Sequence, residues 1–379
     1  MLLTLMTDKK KDYSYMKADE NDGFVTIDPE IRKKFHAQPM EKKEKSLKAT
    51  TFTIFPFEVF EQQEKPFDIK EQETMEFIEN HLKHFKKPYI ATSFGSDSIV
   101  LMHLVMRAAK NVGVEYPDMI LNDTLNTFKE EKQYWADMIK LWGISDRVKL
   151  FKPPKDENDK QQTVWSIAKK VGHLPSFRKM KGGGKDKGYG SGGDTPECCN
   201  ILKKATLKKY LKSLPKEERY DCHFVGTRAE ESRMRMYSVL QRCRTYVIKT
   251  LFPYPIRAIT PLSFWTLEDI KKYYTKHDIP RNPAYEAHNM ERMGCASCPA
   301  HKYWEIRLAK DPTNEGLGML RQNFVLMKQF IDDGTENPKR LEESVNTLKK
   351  YLKKDGKTQL TELQKERVQK IIDEFDYMW

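Results

Sequence analysis

No stretch of this chain approaches the roughly 18–20 consecutive apolar residues that a membrane-spanning helix needs, so a helical membrane protein is excluded and no membrane partner is expected. The opening MLLTLMTDKKKDYSYM carries a short apolar stretch with its basic cluster after it, the wrong order for a secretory signal. The expected location is the cytoplasm. Cysteine is scarce: six in 379 residues is too few for a disulfide scaffold. Internal repeats are missing, as is any motif that reads a nucleic-acid sequence. Acidic residues fall short of basic ones, 55 against 67, and the net charge of +12 favours an anionic partner such as a nucleotide, a nucleic acid or an acidic protein.

What is present is organised. Residues 1–65 are rich in lysine and glutamate and read as an N-terminal extension without chemistry. From about 66 to 310, short apolar runs alternate with helical patterns. The runs are KPYIAT (87–92), PDMILND (117–123), DRVKLF (146–151), YDCHFVGTR (220–228) and RAITPL (257–262). That alternation predicts an α/β fold with a doubly wound, mostly parallel sheet. Residues 311–379 read as amphipathic, basic helices forming a C-terminal extension. The segment RKMKGGGKDKGYGSGG (178–193), with seven glycines and five basic residues, reads as a mobile loop, either a surface insertion or a lid over an anion.

Two features carry chemistry. The first is ATSFGSDSIVLMHLV, a strand running into a small polar turn and then an apolar helix. Such a turn aims backbone N–H groups, and the positive end of the helix, at one point where a phosphate fits. The same pattern also occurs as a plain turn. Gly95 permits close approach of the backbone, while Ser93, Ser96 and Ser98 offer hydroxyl donors. Asp97 can order the loop or help hold a metal ion. The second feature is a pair of cysteine clusters, Cys198-Cys199 and Cys295-x-x-Cys298. In a reducing compartment four thiolates suit a [4Fe–4S] cluster, a structural zinc or a redox disulfide. Cys222, in an apparent strand, reads as a buried structural residue. Cys243, between Arg242 and Arg244, is a reactive thiol if exposed and a structural one otherwise.

The ordered motifs resemble the phosphoadenosine phosphosulfate (PAPS) reductase and ATP-pyrophosphatase superfamily, whose fold is the adenine nucleotide alpha hydrolase type. SFGSDS resembles its pyrophosphate loop, and ILNDTLNTFKE resembles its second strand ending in Asp-Thr, here Asp123 and Thr124. GHLPS precedes the cysteines, as in the reductases, and its His173 reads as a structural loop residue. CCNILKKATLKKYL resembles the cysteine pair with its lysine-bearing helix. GTRAEESRMR resembles the Gly-x-Arg segment whose arginine contacts phosphate or sulfate, and TPLSFWTLEDIKKYYTKHDIPRNPAYE resembles a further helix and turn. The resemblance spans roughly residues 70–305.

It implies nucleotide contacts from Ser93, Phe94, Gly95, Ser96, Asp97, Ser98, Asp123, Thr124, Lys203, Gly226 and Arg228. Asp97 and Arg228 would serve catalysis, and Arg233 and Arg235 flank the same loop. Cys198, Cys199, Cys295 and Cys298 resemble the cluster ligands of adenylyl-sulfate reductases. Two departures bear on the activity. Phe94 and Ser96 stand where many ATP pyrophosphatases carry glycine and another residue, often lysine. No cysteine follows Cys298, whereas assimilatory reductases use a cysteine near their C-terminus as nucleophile. The resemblance therefore implies an iron–sulfur sulfurtransferase that uses ATP and Mg²⁺, similar to the ATP-pyrophosphatase component of DNA phosphorothioation systems. Its implied partners are a cysteine desulfurase, or another sulfur or electron donor, and a nucleic acid. A reductase of adenylyl sulfate or PAPS is the alternative, and a non-catalytic nucleotide-binding subunit a third.

Overall fold

The computed structural model describes residues 16–18, 25–27, 53–172, 174, 197–248, 253–288, 293–298, 304–311, 313–353 and 360–376. The glycine-rich segment 178–193 and His173 lie outside the described residues. Near the N-terminus, β1 (Met16–Ala18) and β2 (Val25–Ile27) pair antiparallel. Six further strands form the main sheet: β3 (Pro88–Thr92), β4 (Asp118–Asn122), β5 (Val148–Phe151), β6 (Cys222–Val225), β7 (Thr245–Ile248) and β8 (Ile256–Ile259). Their order is β5-β4-β3-β6-β8-β7; β4 pairs parallel with β5, β6 pairs parallel with both β3 and β8, and the edge strand β7 runs antiparallel to β8. This is the α/β, mostly parallel sheet with flanking helices that the alternating pattern predicts. Each of the five expected strands forms, while β7 went unread because YVIK follows a charged segment and alternates weakly. The helices at the C-terminal end form as well. Among the described residues no helix is long and apolar enough to cross a membrane.

The chain divides into two compact units. The first comprises residues 1–91, 97–117 and 220–279. It contains α1 (Pro56–Glu64), α2 (Phe67–His84), α3 (Ser96–Val112), α8 (Arg233–Arg242) and α9 (Leu267–Lys276), the labels following chain order. Its centre is α3, on which nine residues from Ile99 to Ala109 are buried. A helix apolar on nearly all sides belongs inside a domain. Charged groups inside this unit are paired. Lys70 Nζ donates to Asp269 Oδ2 at 2.6 Å with both side chains buried. Glu71 accepts from Arg107 and from Lys276 and meets His277 at 2.8 Å, which holds its carboxyl below the usual range despite the opposing effect of burial.

The second unit comprises residues 92–96, 118–219 and 280–379. It holds α4 (Lys129–Trp142), α5 (Val164–Val171), α6 (Glu197–Cys199) and α7 (Thr206–Ser213). It continues with α10 (Ala284–Ala287), α11 (Trp304–Ala309), α12 (Asn314–Asp332), α13 (Pro338–Leu352) and α14 (Glu362–Asp376). The last four helices bury Leu320, Phe324, Met327, Leu341, Val345 and Ile372 in one core. Pro338 and the Asn337 side chain start α13 as helix-initiating residues do.

Candidate nucleotide and cysteine site

The turn after β3 is shaped by Phe94. Its φ of 53° lies in the left-handed region, which costs an ordinary L-residue about 1–2 kcal/mol and glycine nothing. The ring is fully buried, with Trp135 at a centroid distance of 6.4 Å. Burial of the ring holds the backbone where a glycine would otherwise be chosen. Phe94 therefore contributes its backbone, and its side chain is core. Thr92 Oγ1 accepts from the Phe94 N–H at 3.1 Å. Ser96 begins α3, and its N–H donates to the hydroxyl of Tyr285 at 3.0 Å. A Cβ at Gly95 would stand 3.3 Å from Ser93 Oγ, 3.5 Å from Met293 and 3.7 Å from the Tyr285 hydroxyl. The Ser96 N–H at the start of the helix is thus met by a phenol oxygen.

In the first unit, the loop after β6 clamps the first turn of α3. Gly226 approaches so closely that a Cβ there would meet the Asp97 carbonyl oxygen at 3.1 Å. Arg228 is buried; its Nε donates to Asp97 Oδ1 at 2.9 Å and its Nη1 to Glu230 Oε2 at 2.7 Å. Glu230 also accepts from the Leu267 N–H. The guanidinium and the loop carboxylate are therefore joined to each other in this state. The Arg235 guanidinium lies 3.5 Å from Thr227 Oγ1.

The cysteines assemble within the second unit. Cys198 and Cys199 close α6 and lead into a π-helical turn, Asn200–Ala205, before α7. Such widened turns cluster at functional sites, and here one carries Lys203. The hydrogen bond between the paired thiols pushes Cys198 up and brings Cys199 down to about 6; Lys203 and Lys204 act in the same direction on Cys199, and burial opposes them. Cys295, then Cys199, Cys298 and Cys198 raise the Lys203 ammonium, so one lysine stands in the field of all four sulfurs. Every cysteine is free of disulfides. Cys295 Sγ donates to Thr124 Oγ1 at 3.4 Å. Asn126 braces the same turn: its carbonyl accepts from Ala296 N–H at 2.7 Å, and its Oδ1 accepts from Ser297 Oγ at 2.9 Å. Arg307 donates to the carbonyls of Cys295 and Ala296.

Asp123 is held rather than open, accepting from the Leu125 N–H at 2.8 Å and from Lys132 Nζ at 2.9 Å. The sequence reading missed Glu131, which is 2% exposed with Oε2 unpartnered. Burial pushes its carboxyl up to about 8; Asp123 adds to that, and Lys203 and Lys132 oppose it. Asn126 Nδ2 and Thr127 Oγ1 are likewise buried without partners. Three orphaned polar atoms on one short segment are what a site built for a polar ligand or water presents. The signal available in advance was the run TLNTFKEEK, polar where a helix entry is normally apolar-periodic.

The remaining cysteines belong to the first unit. Cys222 is fully buried in β6, and burial raises its thiol. Beside Cys243, Arg244 lies 3.7 Å over the Phe77 ring and donates to the Pro261 carbonyl, while Arg242 stacks on Tyr246. Both arginines are thus engaged with groups other than the thiol.

A mostly parallel six-stranded sheet with flanking helices defines an α/β protein. Residues 87–301 match the phosphoadenosine phosphosulfate reductase domain, more than half of the chain, and the protein belongs to that family. Similar solved structures include phosphoadenylyl-sulfate reductase from Candida auris in a phosphate complex, with 17% identity over 62% of this chain and 93% of that one and a TM-score of 0.38. FMN adenylyltransferase from Candida glabrata, with FMN and the ATP analogue AMPCPP, shows 12% identity over 61% and 67%, TM-score 0.38. The U34-tRNA thiolase NcsA from Methanococcus maripaludis with its [4Fe-4S] cluster shows 13% identity over 69% and 79%, TM-score 0.33. No curated protein matches the chain.

Proposed function

We propose that the protein is an iron–sulfur sulfurtransferase that activates an acceptor with ATP. The observation that carries this reading is the convergence of four thiols, Cys198, Cys199, Cys295 and Cys298, on Lys203.

The residues fit a [4Fe–4S] cluster better than zinc. A zinc tetrathiolate, with bonds of about 2.3 Å, needs its sulfurs about 3.8 Å apart. Among the described residues no three of these sulfurs lie within 4.8 Å of one another. Cys198, Cys199, Cys295 and Cys298 would hold the cluster, with Lys203 offsetting its negative charge. Bound, it would supply a site for sulfur and electrons.

The chain's own groups do the rest. N–H groups of 93–98 receive the phosphates of ATP, which brings Mg²⁺ with it. An acceptor oxygen attacks the α-phosphorus, and pyrophosphate leaves. A persulfide sulfur from a donor such as a cysteine desulfurase then displaces AMP. A second thiol cleaves the remaining S–S bond and departs as the disulfide. Arg228 fixes Asp97 and so the first turn of α3, whose own N–H groups face developing negative charge. Neutral Glu131 is a proton source beside Lys203. The surplus of 67 basic over 55 acidic residues supports a nucleic-acid acceptor, including the DNA of phosphorothioation.

The family itself favours a second reading, reduction of adenylyl sulfate or PAPS, with Cys199 as the low-pKa thiol. Product analysis of anaerobically purified protein separates the two. AMP and pyrophosphate from ATP, dependent on a sulfur donor, are expected; sulfite from adenylyl sulfate or PAPS with a thiol reductant would replace the proposal by the second reading.

A further inference from the structure

A separate cluster of ligating groups surrounds His288, wholly within the second unit. The imidazole stacks on Phe128 with centroids 3.6 Å apart and planes within 10°. It is buried, and both ring nitrogens meet carboxylates: Nδ1 lies 3.1 Å from Asp311 Oδ2, and Nε2 lies 2.7 Å from Glu130 Oε2. Glu315, in the first turn of α12, adds a third carboxylate. The ligand atoms of Glu130, His288 and Glu315 all lie within 4.8 Å of one another.

Asp311 fixes the roles. Its Oδ1 accepts from the Thr313 N–H at 2.9 Å, and its carbonyl accepts from Gln364 at 3.3 Å. Gly316 makes room for it, since a Cβ there would come within 2.5 Å of Asp311 Oδ2. A carboxylate so held takes the Nδ1–H of His288. Nε2 then points a lone pair at a carboxylate oxygen 2.7 Å away. Two acceptors hold that distance only with a proton or a metal ion between them. With a proton, one imidazolium faces three carboxylates, helped by exposed Lys129 at 3.8 Å from Glu130 Oε1. A divalent ion brings twice that charge, and a carboxylate on the far nitrogen is the usual device that orients a metal-bound histidine.

The geometry points to a divalent-metal site formed by His288 Nε2, Glu130 and Glu315, with Asp311 orienting the imidazole and water completing the shell. One imidazole and two carboxylates suit zinc. Bonds of about 2.0–2.1 Å place tetrahedral ligand atoms about 3.3 Å apart. The exposed Glu315 side chain draws in to meet this, and Glu130 opens slightly. The ion would tie the start of α4, the α10 turn and the start of α12 together. It is independent of the cysteine site and of the sulfur-transfer reading.

The test is zinc titration of the full chain in a Cys295→Ser/Cys298→Ser background, which weakens the competing thiolate set. One retained equivalent per chain after gel filtration is expected, with a rise in Tm and a metal-induced ¹⁵N shift of His288 Nε2. Glu315→Gln, a change at an exposed side chain, should leave the metal-free Tm unchanged and weaken zinc at least tenfold. Cobalt titration of the cysteine-intact chain provides a second reading, because this site gives weak visible bands without sulfur charge transfer. Retention of no zinc, equal affinity in Glu315→Gln, or a His288 ring carrying both protons in excess zinc would leave a buried imidazolium only and overturn the site.

Discussion

The hydroxyl of Tyr285 accepts the N–H of Ser96, the first amide of α3, at 3.0 Å. On the proposed reading, a residue nearly 190 positions away in the chain thus competes with a phosphate oxygen for that amide. Tyr285→Phe removes that competitor. An amide hydrogen bond contributes about 0.5–1.5 kcal/mol net, so pyrophosphate and ATP should bind about 2- to 10-fold more tightly, as calorimetry would read. Weaker binding would mean the hydroxyl is itself a phosphate ligand.

Arg228→Met removes the guanidinium that donates to Asp97 and Glu230. Removing one member of a buried pair costs about 3–5 kcal/mol, and the side chains here are 7% and 17% exposed for Arg228 and Asp97. Urea unfolding should shift by a cost near the lower end of that range, and ATP binding should fall with it. Asp97→Asn in the same background should recover part of the stability. Strict additivity of the two changes would show that the pair does not interact.

Glu131 makes stability fall as pH rises. Its carboxyl titrates at about 8 in the folded chain against an ordinary value of 4.5, so the folded state holds an extra proton between those limits. Stability is fully present below about 4.5 and is lost progressively up to about 8. Glu131→Gln should flatten this slope and be the more stable protein at pH 9, by on the order of a few kcal/mol. Parallel stability–pH curves for the two proteins would contradict the buried, neutral acid.

Cys199 titrates at about 6, so in cluster-free protein its alkylation rate should rise as pH passes 6 and level off by 7. Lys203→Met, removing a cation that favours the thiolate, should move the midpoint upward. A midpoint that Lys203→Met leaves unchanged would remove Lys203 from the site.

Much of this was legible in the chain. Alternating apolar runs announced the five parallel strands, and the polar turn before Ile99 announced its helix. What stayed hidden depends on contacts between distant segments. Nothing local marks Tyr285 as the partner of Ser96, or Asp97 as the partner of Arg228. Phe94 reads as a departure from a glycine position, and only the structure shows the left-handed backbone, φ 53°, with the ring buried beneath it. Spacing and resemblance set Cys198-Cys199 with Cys295 and Cys298 as an expectation, whereas nothing in the sequence singled out Glu131, because its burial comes from tertiary packing.

Crystallography at the iron absorption edge, on anaerobically purified protein with a non-hydrolysable ATP analogue, bears most directly on the whole account. Anomalous iron density bounded by Cys198, Cys199, Cys295 and Cys298, with the nucleotide phosphates on the N–H groups of 93–98 and Tyr285 displaced, is the result expected. Zinc or no metal among those sulfurs, or a nucleotide bound away from that turn, would contradict it.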